Sequence, residues 1–170
     1  IFTGYNDVRI PGKNGTLISL KNDLKSKTEL FYRIRLNYTI NARHTISLLY
    51  APLETKSMGS VSNDILFEET VFPANTEITG DYKFNSYRLT YRYDIVKKSK
   101  IEFGLGFTAK IRDARIALSS PGLTAEKINI GFVPIINFRL LWNIDNKVGL
   151  LLEGDALAAP QGRAEDVLFA

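Results

Sequence analysis

The stretch INIGFVPIINFRLLWNI, residues 128–144, decides the fold, because an apolar residue occupies every second position. The apolar positions are Ile128, Ile130, Phe132, Pro134, Ile136, Phe138, Leu140, Trp142 and Ile144. Polar or small residues among the intervening positions are Asn129, Gly131, Asn137, Arg139 and Asn143. A period of two places successive side chains on opposite faces of a β-strand, whereas a helix repeats every ~3.6 residues. The segment is therefore predicted to be one long strand with an apolar and a polar face.

The same period recurs along the chain. It is clear in residues 30–40, 86–96 and 101–111, and weaker in residues 45–55 and 148–158. β-Branched and aromatic residues, which favour strands, are frequent in these segments. Strands are predicted over residues 29–40, 45–56, 86–96, 101–118, 127–144 and 148–158. A strand near Ile1–Ile10 and another beginning at Ala164 bring the total to eight.

The lengths of the connections give a second signal. Three predicted connections are short: Asn41–His44, Lys97–Lys100 and Asp145–Lys147. If the strands run alternately down and up, all three lie at one end of the sheet. The longer connections then lie at the other end: Pro11–Thr28, Ser57–Asn85, Ser119–Glu126 and a link near Pro160–Gly162. This layout is typical of an antiparallel up-and-down β-barrel that spans a bacterial outer membrane, with the short turns periplasmic.

The composition narrows the class of protein. A length of 170 residues suits a single domain, predicted as 1–170, with an extracellular hairpin at about 57–85 around Pro73–Asn75. The 22 Lys+Arg and 18 Asp+Glu are spread along the chain, which argues against nucleic-acid binding. No apolar run is long enough for a transmembrane helix, but barrel strands alternate and need none. The missing initiator Met and signal peptide indicate a mature chain or a fragment.

Side-chain volume indicates which face lies inside the barrel. A soluble lipocalin-like barrel has the same period with its apolar face inward, but the rings here are too bulky for the lumen of an eight-stranded barrel. The aromatic residues predicted to face lipid are Tyr32, Tyr38, Tyr87, Tyr91, Tyr93, Phe103, Phe107, Phe132, Phe138 and Trp142. The charged residues predicted to lie in the lumen are Arg33, Arg35, Arg88, Arg92, Asp94, Glu102, Lys110, Arg112, Arg139, Glu153 and Asp155. Unpaired ions are costly in a dry lumen, so we expect Arg–carboxylate pairs or water there.

In this alternation and these turn lengths, the chain resembles the small bacterial outer-membrane β-barrel proteins, the class that contains the eight-stranded adhesin-like, membrane-anchor and OmpW-like proteins. The resemblance covers nearly the whole chain and rests on pattern rather than on a signature motif. It implies a Gram-negative outer-membrane location, lipid as a partner, and a role within a class of anchors, host-interaction proteins, small-solute channels and a few lipid-modifying enzymes. Such proteins usually end in a full strand that closes on an aromatic residue. Because this sequence stops at Ala170, ten or more strands are the alternative to eight.

No catalytic, cofactor-binding or metal-binding residue is predicted. His44 lies in a predicted turn with no nucleophile or acid near it in sequence, and one His without Cys makes a transition-metal site improbable. Glu153 and Asp155 share one strand face and are interpreted as salt-bridge partners of the luminal arginines rather than as the acid pair of a hydrolase. Gly104 and Gly106 lie in mid-strand. We interpret them as positions that let the strand bend or a luminal side chain pack, not as a phosphate loop.

The predicted function is that of a non-enzymatic integral outer-membrane protein. Its exposed loops meet a protein partner, or its charged lumen binds or passes a small solute, with a preference for anions if the lumen is open. One alternative is a lipid-modifying outer-membrane enzyme, which requires a nucleophile and a base near a strand end. The other is a soluble lipocalin-like carrier of a small hydrophobic ligand.

Overall fold

The computed structural model describes the backbone of residues 7–26, 29–159 and 162–169, with side chains up to residue 157. Every element of regular secondary structure in these residues is a β-strand, so the all-β prediction is confirmed. The chain divides into two compact units. Unit 1 comprises residues 1–32, 51–85 and 112–130, and unit 2 comprises residues 33–50, 86–111 and 131–170.

Thirteen strands are present in the described residues. In chain order they are β1 (Asp7–Arg9), β2 (Leu17–Ser19), β3 (Lys25–Ser26), β4 (Ile34–Ile40), β5 (His44–Ala51), β6 (Glu54–Gly59), β7 (Ile65–Phe67), β8 (Thr70–Phe72), β9 (Ile78–Lys97), β10 (Ile101–Ser120), β11 (Leu123–Asn143), β12 (Gly149–Ala159) and β13 (Gly162–Phe169). The three longest strands, β9, β10 and β11, each contribute residues to both units.

Unit 2 contains most of a nine-stranded antiparallel sheet that is curled into a half-barrel. Neighbouring strands along this sheet follow the order β13, β12, β11, β10, β9, β5 and β4. The register between β11 and β12 pairs Arg139 with Glu153 and Asn137 with Asp155. Directly paired residues point to the same face of a sheet, so the polar positions of neighbouring strands line up.

The short turns predicted from the sequence all lie in unit 2. In the turn between β4 and β5, Asn41 and Ala42 have φ angles of 49° and 58°. The Arg43 N–H donates to the Ile40 carbonyl at 3.2 Å, which closes the turn. Two central residues with positive φ define a type I′ turn, whose twist matches that of the strands on either side.

Unit 1 has an apolar core of its own. Its buried side chains are Val8, Ile18, Leu20, Leu24, Ile65, Phe67, Phe72, Ile78 and Leu118. Two small antiparallel sheets, β1 with β2 and β7 with β8, supply most of this core. In addition, β3 pairs with β6, and β6 pairs with β9. Closely packed side chains of this kind are typical of a folded domain interior.

Several strand boundaries differ from those predicted. The strand predicted over residues 45–56 is divided into β5 and β6 at Pro52, which has no N–H to donate to the sheet. Leu53 and Phe84 exchange two backbone hydrogen bonds of 3.1 and 2.7 Å next to this break. The predicted loop Ser119–Glu126 is a tight turn at Pro121–Gly122, where Gly122 has a φ of 78°. Proline followed by a residue with positive φ is characteristic of a type II turn.

The segments predicted as long loops contain further strands. Residues 57–85 include the second half of β6, all of β7 and β8, and the start of β9. The hairpin within them spans Ile65–Phe72, and Pro73–Asn75 follows it. In the strand predicted near Ile1–Ile10, Asp7–Arg9 pairs with β2, and residues 1–6 lie outside the described residues. The last strand begins at Gly162 rather than Ala164, and Pro160 and Gln161 of the predicted link also lie outside them.

Candidate functional site

The charged interior of unit 2 is organised around Asp155 on β12. Its carboxylate accepts hydrogen bonds from Arg88 Nη1 on β9 at 2.7 Å, Thr108 Oγ1 on β10 at 2.9 Å and Asn137 Nδ2 on β11 at 2.9 Å. Asp155 is 4% exposed, and Thr108 and Asn137 are also buried. Side chains from four strands can meet in this way only on the concave face of the curled sheet. Asp155 therefore accepts hydrogen bonds from three side chains, which offsets the cost of burying its polar atoms.

Glu153, two residues earlier on β12, forms ion pairs with three arginines. It makes an ion pair with Arg35 on β4, and its Oε2 lies 3.7 Å from Arg92 Nη1 and 3.9 Å from Arg139 Nε. Strands β4 and β12 are separated by four other strands in the order of the sheet. The Arg35–Glu153 pair thus reaches across the concave side of the half-barrel.

A second group of ion pairs leads from these residues toward the short turns. Arg92 Nε lies 3.4 Å from Asp94 Oδ1, and Lys97 Nζ lies 3.6 Å from Asp94 Oδ2. Arg139 Nη1 donates to Glu102 Oε2 at 2.8 Å. A cavity of about 240 Å³ lies between them, lined by three cations and three carboxylates: Arg92, Lys97, Arg139, Asp94, Glu102 and Glu153. Its charged lining is formally neutral.

Eight of the eleven residues predicted as a luminal charge network are brought together in these ion pairs. They are Arg35, Arg88, Arg92, Asp94, Glu102, Arg139, Glu153 and Asp155. Arg33 and Lys110 also belong to unit 2 and have interaction partners. Arg112 lies in unit 1, where its Nη2 donates to Asn129 Oδ1 at 2.7 Å.

The interior also contains uncharged residues that were not predicted as members of the network. Thr90 and Thr108 are buried and share a hydrogen bond of 2.7 Å between their hydroxyls. Ser47 Oγ donates to Asn37 Oδ1 at 2.6 Å between β5 and β4. These residues occupy the polar positions of their alternating strands, so the sequence signal that located the charges locates them as well.

Two glycines make room for Arg92 on the inner face. A Cβ on Gly104 would lie 2.5 Å from Asp94 Oδ1 and 2.9 Å from Arg92 Cδ. A Cβ on Gly106 would lie 2.2 Å from the Tyr91 carbonyl oxygen. Any side chain at these positions would displace buried groups or the neighbouring strand, which agrees with the interpretation that the glycines leave space for an inner side chain.

The outer face of unit 2 is apolar and exposed. Of the ten aromatic residues predicted to face lipid, those with exposed side chains are Tyr32, Tyr38, Tyr87, Tyr91, Tyr93, Phe107, Phe132 and Trp142. Tyr32 belongs to unit 1 and the other seven to unit 2. Phe103 and Phe138 are half-buried. Aliphatic side chains between these rings, such as Leu36 and Leu89, are also exposed. Such a continuous apolar surface around a charged interior is the reverse of the distribution in water-soluble domains.

A shallow apolar groove of about 440 Å³ lies on unit 2. Ile34 and Leu36 of β4, Tyr87 and Leu89 of β9 and Phe132 of β11 contribute to its lining. The rings of Tyr50 and Tyr87 stack with centroids 5.1 Å apart across β5 and β9. The groove therefore lies on the apolar face and extends across several strands.

His44, predicted in a turn, is the first residue of β5. Its Nδ1 lies 2.8 Å from the Tyr91 hydroxyl, and its ring lies 5.0 Å from that of Tyr93. Among the described residues, no carboxylate, thiol or serine hydroxyl forms a hydrogen bond with the His44 side chain. The geometry gives it a packing contact with two tyrosines and no nucleophile to activate.

Tyr82, which belongs to unit 1, has a shifted pKa. Burial raises the pKa of its hydroxyl, and the positive charge of Arg112 partly offsets this by lowering it. Across residues 7–26, 29–159 and 162–169, no cluster of three or more His, Cys, Asp or Glu side chains could hold a metal ion. Nor does any helix there have the length and apolar character to cross a membrane.

Comparison of the sequence and structure with known protein families, with characterised proteins and with solved structures finds no match.

Proposed function

We propose that this chain is an integral β-barrel protein of the bacterial outer membrane, with a non-enzymatic role and an interior closed by ion pairs. The observation that carries the proposal is the inverted arrangement of unit 2, in which carboxylates and guanidinium groups are buried while aliphatic and aromatic side chains are exposed. Leaving a large apolar side chain in water costs about 1.5–3 kcal/mol relative to burial. A face of many such side chains is stable when lipid acyl chains cover it.

The strand lengths support a membrane-spanning role for unit 2. The portions of β9, β10, β11 and β12 within this unit are eleven to thirteen residues long. A tilted transmembrane strand requires about 9–11 residues. Because lipid cannot satisfy the backbone groups of an open sheet edge, we propose that the edges at β4 and β13 are paired in the membrane, which closes the barrel.

The interior supports a closed barrel more than a pore. Arg35 on β4 and Arg92 on β9 both reach Glu153 on β12, so ion pairs span the concave side between distant strands. The cavity of about 240 Å³ next to them is lined by charged side chains that already have partners. A charged solute would have to break these ion pairs to pass, which costs free energy.

The compact core of unit 1 supports partner interaction as the role of the protein. Long connections of membrane barrels are commonly the segments that meet other molecules. In this chain the long connections are folded around Phe67, Phe72 and Leu24 rather than extended. A folded unit presents a fixed surface to a protein partner. We therefore favour anchoring and partner binding over solute passage.

Extraction and conductance test the proposal. We expect the protein to fractionate with membranes, to require detergent for purification and to migrate differently on SDS gels before and after heating. In planar bilayers the inserted protein should give no stepwise conductance. A protein that purifies without detergent in a monodisperse form contradicts the membrane assignment. Regular conductance steps contradict the closed interior and favour solute passage instead.

A further inference from the structure

The three short turns of unit 2 lie side by side along one rim. Lys97 Nζ, at the end of β9, donates to the Ala42 carbonyl in the first turn at 2.6 Å. Asn143 Nδ2, at the end of β11, donates to the Ser99 carbonyl in the second turn at 2.8 Å. The third turn follows Asn143 directly and joins β11 to β12. Hydrogen bonds between neighbours thus connect the turns into a continuous surface, here called the turn rim (residues 41–43, 97–100 and 144–148).

The turn rim is strongly basic. Its charged residues are the cations Arg43, Lys97, Lys98, Lys100 and Lys147 and the single carboxylate Asp145. The Asp145 carboxylate already accepts hydrogen bonds from the backbone N–H groups of Lys147 and Val148, at 2.7 and 2.9 Å. The rim therefore has five positive charges against one carboxylate that is engaged in holding its own turn.

The charge of the whole chain shows the same asymmetry. Unit 2 contains twelve Lys and Arg against seven Asp and Glu, whereas unit 1 contains ten against eleven. The net charge of +4 therefore comes from unit 2 alone. Of the five rim cations, Lys97 also forms an ion pair with Asp94 of the interior, so four rim cations stand against Asp145 alone.

Two kinds of cation are present on the rim. Arg43 and Lys97 are held by backbone carbonyls, since Arg43 Nη1 donates to the Asp94 carbonyl at 3.0 Å and Lys97 Nζ donates to Ala42. Lys98, Lys100 and Lys147 are exposed, and none has an ion pair with a described residue. Flexible ammonium groups of this kind can reach an anion outside the protein.

The apolar face of unit 2 begins immediately next to the rim. Ile95 and Ile101 flank the second turn, and Trp142 precedes the third, with all three side chains exposed. Cations and a tryptophan at the boundary of an apolar band match the layers of a bilayer, where phosphates lie just outside the acyl chains. A protein partner would have no reason to match this order of layers at both of these turns.

We propose that the turn rim binds the phosphate groups of anionic phospholipids in the leaflet that meets the short turns, through Lys98, Lys100 and Lys147. This inference rests on the proposed function, because it requires unit 2 to be inserted in a bilayer. The bound headgroups fix the depth of the barrel in the bilayer. They add an electrostatic contribution to the free energy of membrane binding, beside the contribution of the apolar face. A lysine near an anionic surface contributes roughly a fivefold increase in affinity.

The single tryptophan of the chain provides a local probe, since Trp142 lies two residues before the third turn. The full chain is inserted into mixed bilayers of phosphatidylglycerol and phosphatidylcholine in which one lipid or the other has brominated acyl chains. The relative quenching of Trp142 gives the preference for the anionic lipid at this position. The wild-type protein should prefer phosphatidylglycerol about fivefold. High salt should remove the preference, because the Debye length falls to about 3 Å at 1 M.

Matched variants separate the rim from general charge effects. In the triple variant Lys98→Gln, Lys100→Gln, Lys147→Gln the preference should fall to equal quenching by the two lipids. The double variant Lys13→Gln, Lys25→Gln removes exposed lysines of unit 1 and should keep the wild-type preference.

Equal quenching in the wild type, or the same preference in the triple variant, overturns the inference while leaving membrane insertion intact. A loss of preference in the control variant also overturns it. If Trp142 is quenched by neither brominated lipid, the proposed function itself fails.

Discussion

Replacing Asp155 by alanine is expected to be among the most damaging single changes in unit 2. Asp155 is the acceptor for the Arg88 guanidinium at 2.7 Å and for the donors of Thr108 and Asn137 at 2.9 Å each. The side chains of Arg88 and Asp155 are 9% and 5% exposed, so water does not screen the charge that is left behind. Removing one partner of a buried ion pair costs about 3–5 kcal/mol. Each orphaned neutral donor adds about 1 kcal/mol unless water reaches it.

The double variant Arg88→Met, Asp155→Ala isolates the electrostatic part of this loss. With both charges gone, neither partner of this pair is left as an uncompensated buried ion, and replacement of a buried pair by apolar groups is commonly near neutral. The double variant should therefore be more stable than Asp155→Ala alone by about 2 kcal/mol or more. This difference comes from the guanidinium that has lost its carboxylate, since both variants lose the same hydrogen bonds from Thr108 and Asn137.

The free energy of unfolding of inserted protein can be measured by urea titration, with Trp142 fluorescence as the signal. Asp81→Ala is the control, because its ion pair with Lys56 is long, at 3.7 Å, and the two side chains are 41% and 69% exposed. Exposed pairs contribute about 0–1 kcal/mol, so this variant should stay close to the wild type. A loss below 1 kcal/mol for Asp155→Ala would refute the buried network. So would a double variant that is no more stable than the single one.

Three smaller predictions follow from the backbone and from one tyrosine. Gly106→Ala should destabilise the protein by about 1–3 kcal/mol in urea titration, because the added Cβ would lie 2.2 Å from the Tyr91 carbonyl oxygen. Gly12→Ala is the control: its Cβ would have no atom within 4 Å, so the change should cost less than ~0.5 kcal/mol. Ala42→Gly should stabilise by about 1 kcal/mol, because alanine is strained at a φ of 58°; a loss of stability would contradict this. Burial raises the folded-state pKa of Tyr82 above 10.0, so its contribution to stability is present below the unfolded pKa and is lost as pH rises above about 10. Unfolding titrations at about pH 9 and 11 should show this loss diminished in Tyr82→Phe, and an identical pH dependence in the variant would exclude it.

Alternation located the parts of the chain that build the half-barrel. The start of β10 at Ile101 and the turns at 41–43 and 98–100 follow from residues that repeat every second position or interrupt the repeat. The residues around Asp155 could be grouped from sequence because paired strands place polar positions on one face. The particular carboxylate that each arginine contacts could not be predicted. The Arg35–Glu153 contact, for example, joins residues 118 positions apart in sequence and depends on the curl of the sheet.

The core of unit 1 could not be predicted from the same signal. Strands of three residues, such as Ile65–Phe67, are too short to show a period. Their burial depends on contacts between distant segments, such as Leu24 and Phe72, that no local pattern contains. The tight turn at Pro121–Gly122 could have been predicted within the loop Ser119–Glu126, since proline followed by glycine is a recognised turn signal.

The central claim, that the exposed apolar face of unit 2 lies against lipid, is tested most directly by placing an arginine there. Leu89 of unit 2 and Leu17 of unit 1 are 51% and 55% exposed, so in a water-soluble protein both changes to arginine should be harmless. If lipid covers unit 2, Leu89→Arg should lower the free energy of unfolding from bilayers by about 2–4 kcal/mol. Leu17→Arg should leave it unchanged. Equal, small effects of the two substitutions would contradict the membrane assignment.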